Sequence, residues 1–512
     1  MERESMMKEK TKIAGFLLLI ILSVPLILQA EGRFKNFSFK LKGEITNIIT
    51  EDLNDDGLVE VILIHRDEST DPPCRLLSIF WHDRINKFRK DDKTSWLIPP
   101  EVAAVDVGDV KPDKGQELVF ITERGVSYAS VRNGKVGGIR EIIPVQSVVA
   151  IASERHAPYY NFARDYTGDG RDDILVCGFH ETLIARQEKN YKFSIQKVNL
   201  KPDIEIFAFD IKELMKSPEN PFFRVAYSVP QIFSEDYNAD GLIDLLVSFR
   251  SKVFIFAQDK NGFSADPVKI YRIKLFPDES QSRQQGPPNI EFADLDRDGR
   301  VDILAHQTSG RVGHMESRNL LFWGKSANIE KGLPDMEFYT ENTVIGGAFI
   351  LDVNGDGLLD LMMPTYEIGV WSTGKILITG EITVDWAYFL QSTEHHFNQS
   401  PDRLITTNLK FNVRKFRLES GIPNVIGDFN GDGYPDQALG EEENILGITL
   451  RDKEGVPLDM TERINIPVSM FNRVVDLNKD GLSDIVIYYQ DRPEYTGDLH
   501  ILLNRGPWTP DD

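Results

Sequence analysis

DFNGDGYPD, residues 428–436, sets carboxylates at its first, fifth and ninth positions, an amide at its third and a glycine at its sixth. The same nonapeptide returns as DLNDDGLVE from Asp52, DYTGDGRDD from Asp165, DYNADGLID from Asp236, DLDRDGRVD from Asp294, DVNGDGLLD from Asp352 and DLNKDGLSD from Asp476. A degenerate copy, DVKPDKGQE, starts at Asp109. Successive copies begin 48 to 76 residues apart. The chain is therefore read as a repeat array rather than as a string of separate domains.

Oxygen donors on alternate residues of a tight loop suit calcium, a hard cation that takes six to eight oxygens at about 2.3–2.6 Å. The candidate donors are side chains at positions 1, 3 and 5, the backbone carbonyl at 7 and the carboxylate at 9. In the first two good loops these are Asp52, Asn54, Asp56, Leu58 and Glu60, then Asp165, Thr167, Asp169, Arg171 and Asp173. The next two supply Asp236, Asn238, Asp240, Leu242 and Asp244, then Asp294, Asp296, Asp298, Arg300 and Asp302. The last three supply Asp352, Asn354, Asp356, Leu358 and Asp360; Asp428, Asn430, Asp432, Tyr434 and Asp436; and Asp476, Asn478, Asp480, Leu482 and Asp484. Glycine at position 6 permits the positive φ that wraps the backbone around an ion. Ordinary turns are also rich in Asn, Asp and Gly, but they do not need acid at position 9 as well as at 1 and 5.

The EF-hand loop begins almost identically and requires an acid at position 12. Here position 12 is Leu63, Val176, Val247, Ala305, Met363, Leu439 or Ile487. All are apolar, and each lies in a short aliphatic run of the kind that forms a buried strand. The loop thus joins two strands. Around the first copy, four strands are expected near 45–50, 58–65, 76–82 and 96–98. A four-stranded unit that is apolar on both faces needs neighbours on both sides, which is the logic of a propeller.

The expected fold is all-β: a β-propeller of eight four-stranded antiparallel blades, with seven blades as the alternative. After Asp476 only two more strands fit, at 484–489 and 499–503, so the last blade lacks one. Residues 34–41 (FKNFSFKL) alternate apolar and polar as a half-exposed strand does. They are expected to pair with the C-terminal blade and close the ring, which removes exposed sheet edges.

VIGDFNGDGYPDQALG, from Val425, resembles the FG-GAP repeat of integrin α-subunit propellers, and DLNKDGLSDIVIYY with the ending ILLNRG is similar to the related VCBS-type repeats. The resemblance implies a calcium-binding propeller used for adhesion, recognition or stability. It leaves the activity open, because the same ring hosts integrin heads, lectins and some polysaccharide lyases.

A net charge of −22 argues against nucleic acid or an anionic membrane surface as partner. The seven good loops alone hold 22 carboxylates at positions 1, 3, 5 and 9, and such groups repel one another without a cation. About seven calcium sites are expected. The Asp109 copy is expected to be empty, because Lys111 stands at position 3 and Lys114 displaces glycine to Gly115; an ammonium there pairs with Asp109 or Asp113. Two cysteines, Cys74 and Cys177, form no disulfide scaffold and no zinc set, and both are expected unpaired and buried.

Lys8, Lys10 and Lys12 precede an apolar run from Ile13 that ends at Ala30. Residues 1–30 read as a secretory signal peptide, with a single membrane anchor as the alternative, and 31–512 as the propeller. Either way the expected location is secreted, periplasmic or cell-surface. Two periods run long: 201–225, with a short helix expected near 211–215, and 364–418, which contains Trp371, Trp386, His395 and His396. Extra strands and hairpin excursions are the expected content of both. Residues 369–376 (GVWSTGKI) approach a phosphate-binding loop but lack the hydroxyl residue after Lys375, and their surroundings read as strand. His306 and His314 share an expected loop, without metalloprotease spacing, and no nucleophile elbow occurs. The reading is a non-enzymatic module that binds a protein or saccharide. A carbohydrate-active propeller (lectin or lyase-like) and a passive envelope scaffold are the alternatives.

Overall fold

Each aliphatic run that follows a loop has apolar residues on both sides of the pleat, so its strand is stable only between two other sheets. The computed structural model describes residues 32–85, 87–208, 223–276, 288–311, 314–341, 343–367, 369–415, 417–419 and 425–506. In it these runs are the second strands of eight antiparallel blades. Glu117–Thr122 and Asp173–Cys177 are buried at every position, whereas Thr94–Leu97, an outer strand, alternates between half-buried and exposed.

Blade one comprises Glu44–Glu51, Glu60–Asp67, Cys74–Phe80 and Thr94–Leu97 in sheet order, each pair antiparallel. Six more blades repeat this path. Blade six is larger: its first strand is split into Thr343–Ile345 and Phe349–Leu351, and Arg417–Leu418 adds an outer strand. In blade eight, Phe471–Val475, Asp484–Tyr488 and Asp498–Asn504 are completed by Phe34–Lys40, in the register Phe34↔Asn504 to Lys40↔Asp498. The expected closure by the N-terminal strand is therefore present, and the ring has eight blades rather than seven.

The core lies between blades. Ile49, Ile62 and Leu77 of blade one pack with Val105, Leu118 and Phe120 of blade two. Comparable clusters join each later pair of blades, and Phe39, Val486 and Ile501 pack with Val61, Leu63 and Phe80 to join blade eight to blade one. Burying apolar area contributes roughly 25 cal/mol per Å². In this topology no blade can collect that contribution without its neighbours.

The excursions differ in part from expectation. Asp203–Ala208 and Phe223–Ser228 form the expected hairpin between blades three and four; the helix expected near 211–215 lies outside the described residues, as does the segment 1–30. Residues 369–376, expected in strand surroundings, instead open an α-helix over Val370–Thr379. Its β-branched residues favour strand. The helix forms because its ends are capped locally: Ser372 Oγ accepts Gly369 N–H at 2.6 Å, and Gly380, at φ 69°, donates its N–H to Ile376 O. His306 and His314 lie not in a loop but on the paired strands Asp302–Arg311 and His314–Phe322. Cys177 is buried as expected, Cys74 only half-buried, and both are free.

Candidate metal centres

All eight nonapeptides connect the first strand of a blade to the second. Antiparallel order alternates the chain direction, so these loops lie together on one face of the ring, with the connections from third to fourth strand. The turns from second to third strand and the links between blades lie on the opposite face.

The loops share one backbone path. Position 1 turns the chain back: Asp428 accepts Gly431 N–H at 2.6 Å and Gly433 N–H at 2.8 Å, and Asp476 accepts Asp480 N–H at 3.1 Å and Gly481 N–H at 2.8 Å. Position 5 then accepts the N–H of position 7, as Asp56 does from Leu58 and Asp480 from Leu482. Glycine at position 6 has φ of 80–89° in all seven good copies. Position 4 is left-handed as well, not only where it is glycine but also at Asp55, Ala239, Arg297 and Lys479, with φ of 53–61°. Such a conformation costs a non-glycine residue about 1–2 kcal/mol, so the rest of the loop must impose it.

Position 9 holds the loop to the blade. Glu60, Asp173, Asp244, Asp302, Asp360, Asp436 and Asp484 are all buried. One oxygen of Asp484 accepts Leu477 N–H at 2.8 Å within the loop, and the other accepts Asn504 N–H at 2.7 Å from the third strand. Asp173, Asp302, Asp360 and Asp436 make the same pair of bonds, to Thr167 and Gln187, Leu295 and Gly324, Val353 and Gln391, and Phe429 and Arg451. The residue bonded on the third strand often reaches onward. The amides of Gln187, Gln258, Gln391 and Asn504 donate to carbonyls of the preceding blade's loop, at Asp109, Thr167, Leu295 and Phe429. His82 Nδ1 donates to Leu477 O at 3.1 Å and carries the chain of contacts across the closure. The sequence pattern missed this link, because the bridging residue follows position 9 at separations of 14, 14, 31 and 20 residues.

Burial raises these carboxyls, to about 8 for Glu60, about 7 for Asp302, Asp436 and Asp484, and about 6 for Asp173, Asp244 and Asp360. A raised carboxyl keeps a proton in the folded state that the unfolded chain has released above about pH 4. Stability therefore declines as pH rises from about 4 to about 8. Thermal melts in chelator are expected to give a higher midpoint at pH 5 than at pH 8. Saturating calcium should reverse the order, since a cation holds the carboxylates ionised and competes with protons. Equal midpoints in chelator would show that these acids are not strained by burial.

The donor set fits a cation. Oxygens of Asp294, Asp296 and Asp302 lie within 4.8 Å of one another and can coordinate a metal ion. In two other loops the position-3 oxygen, Asn54 Oδ1 or Asn238 Oδ1, is buried and has no hydrogen-bond partner among the described residues. A buried, unpartnered acceptor is costly, and a cation among these donors relieves the cost. In the last three loops the Asn oxygen instead accepts the N–H of position 5, at 3.0–3.1 Å.

Blade two departs from this set by a different route than its sequence suggests. Lys111 lies over the Tyr128 ring, 4.6 Å from its centroid, rather than on the acids. Arg132, at the end of the third strand, fills the loop: its guanidinium meets Asp113 at 2.9 Å and Glu117 at 3.2 Å, and donates to Lys114 O at 3.1 Å. Glu117 remains fully buried and still accepts Val110 N–H, at 3.4 Å. The position-9 acid thus persists where the cation donors have degenerated.

Comparison with known proteins adds a family match over part of the chain. The model of the FG-GAP-like repeat matches residues 236–305, which span the loops at Asp236 and Asp294. No curated protein sequence matches. Among solved structures, a Dos1 propeller is similar at 10% identity, covering 93% of this chain and 97% of that one, with a TM-score of 0.44. An Agrocybe aegerita lectin, described as recognising non-reducing terminal N-acetylglucosamine, is similar at 13% identity over 74% of this chain and 96% of its own, with a TM-score of 0.38. The V. cholerae biofilm matrix protein Bap1 is similar at 11% identity over 91% of this chain and 77% of its own, with a TM-score of 0.27. The molecule is an eight-bladed propeller with an FG-GAP-like segment.

Proposed function

We propose that this chain is a calcium-stabilised propeller that works outside the cytoplasm as a binding module for a protein or saccharide. The observation that carries the reading is the asymmetry of the ring. One face is given over to the acidic loops, two of which hold an unpartnered position-3 oxygen that suits calcium, Asn54 Oδ1 and Asn238 Oδ1. The other bears the excursions, and these leave apolar groups exposed. Ile204 and Tyr227 are cross-strand partners on the inserted hairpin, 46% and 39% exposed, and Phe179 meets Tyr227 edge-on. Exposed apolar groups gathered on one element suit recognition of a partner. In this reading seven loops hold calcium and blade two, closed by Arg132, holds none. Extracellular calcium modules work at about 10⁻⁴–10⁻³ M, the range this reading expects of a chain whose residues 1–30 read as an export signal.

The test is capture of envelope or extracellular components by the folded chain, with and without calcium, alongside an Ile204→Asp/Tyr227→Asp variant. Calcium-dependent capture that the variant loses supports the reading; equal capture by the variant sinks this choice of face. A second reading, saccharide binding on the loop face, is favoured by a cavity of about 460 Å³ lined by Asn54, Trp81, Asp83, Asp91, Asp92 and Thr94. Glycan-array binding lost in Trp81→Ala, with the hairpin variant unaffected, would select it.

A further inference from the structure

The Asp294 loop is the most acidic of the set, with carboxylates at positions 1, 3, 5 and 9, and a cationic group is already seated in it. Lys325 Nζ bonds Asp296 Oδ2 and lies 3.8 Å from Asp298 Oδ2. The Asp296 side chain is 1% exposed, so this is not a pair between two free surface groups; the Lys325 side chain, at 51%, has its stem in solvent.

Lys325 reaches the loop from a place that recurs in every blade. Gly324 N–H is the third-strand donor to Asp302, and Lys325 is the next residue. The corresponding residues are Glu188, Asp259, Ser392 and Asp452, after Gln187, Gln258, Gln391 and Arg451. In blade eight it is Arg505, after Asn504, and Arg505 acts on Glu462. In blade two it is Arg132, two residues beyond Ser130, the register partner of Glu117. Two blades therefore direct a basic side chain into their own loop from the same position; in blade three, Arg186 and the loop's own Arg171 reach the position-5 acid Asp169 from other positions. Arg132 is held by two carboxylates and a carbonyl through a planar fork, whereas Lys325 is a point charge on a flexible stem.

We propose that Lys325 is a tethered counter-ion that gates the Asp294 loop, so that a divalent cation enters by displacing its ammonium. The inference rests on the calcium reading above and assigns this one loop a separate behaviour. With four carboxylates it outranks its neighbours in ligand charge, yet it fills late, because the incoming ion must first expel a cation already paired with Asp296. Arg132 is the closed form of the same device.

Equilibrium dialysis of the full chain against calcium tests this, using wild type, Lys325→Gln and, as a control for loss of one lysine, Lys269→Gln, whose ammonium pairs with Glu330 rather than with a loop carboxylate. Wild type and Lys269→Gln are expected to bind part of their calcium in a late step, at a free calcium at least tenfold above the rest. In Lys325→Gln one ion of that late step should move at least tenfold lower with the total unchanged. Binding curves that are the same in all three proteins would overturn the gate and leave the calcium reading standing. No calcium bound by any of them would overturn both.

Discussion

A chelator is expected to lower the thermal midpoint of this protein by about 10–20 °C, and excess calcium to restore it. An ion present at a hundred times its dissociation constant stabilises the folded state by about 2.7 kcal/mol. Several ions on one cooperative ring therefore contribute on the order of 10 kcal/mol or more. For chains of 150–250 residues, 1 kcal/mol moves the midpoint by about 2–4 °C, and by less in a longer chain. The expectation follows from charge as much as from ligand geometry. The good loops gather 22 of the carboxylates in a chain of net charge −22, and in the Asp294 loop three of them offer oxygens within 4.8 Å of one another. Calorimetry in calcium and in chelator measures the shift directly. An unchanged midpoint would mean that the backbone N–H groups alone hold these loops, and the calcium reading would fail.

Asp484→Ala is expected to cost about 3–5 kcal/mol, with most of that loss persisting in chelator. Asp484 is fully buried, and its two oxygens take Leu477 N–H and Asn504 N–H. Removing it orphans two buried donors, each worth about 1–3 kcal/mol when left unpaired. Asn504 lies on the strand that pairs with Phe34–Lys40, so the damage falls on the closure of the ring. Hydrogen exchange should show lost protection in both of these strands before the other blades open. Asp480→Ala provides the contrast. Asp480 is exposed and bonds within its own loop, so its loss should matter chiefly in calcium. If chelator erased the Asp484→Ala effect, position 9 would be a ligand alone and not a structural clamp.

These two experiments separate roles that one sequence motif fuses. Position 9 was legible as a candidate ligand because its spacing from positions 1 and 5 never varies. Its second role depends on a third-strand N–H that arrives after a hairpin of variable length, and no local pattern records that. The same limit applies to blade two. Lys111 and Lys114 marked the loop as degenerate, but the group that fills it, Arg132, lies beyond the loop and is brought there by the pairing Ser130↔Glu117. Lys325 was invisible for the same reason. The helix over Val370–Thr379 differs from the strand surroundings expected because none of its described side chains is buried: Leu377 and Ile378 are 57% and 87% exposed. Without burial, periodicity has no signal to leave, and local capping decides.

What the amino-acid order determined alone was everything with a short period: the nonapeptide, its apolar position 12, the strands that follow it, and the spare strand near residue 34 that closes an eight-bladed ring. Those features are legible because loop chemistry and strand alternation act over fewer than ten residues, and repetition multiplies the signal. Tertiary structure alone decided which groups from a neighbouring strand or blade enter each loop. Gln187, Gln258, Gln391 and Asn504 tie one loop to the next, and Arg132 and Lys325 set cations among the acids. Hydrogen bonding and charge act through space, and only the closed ring brings these residues within their few ångströms of reach.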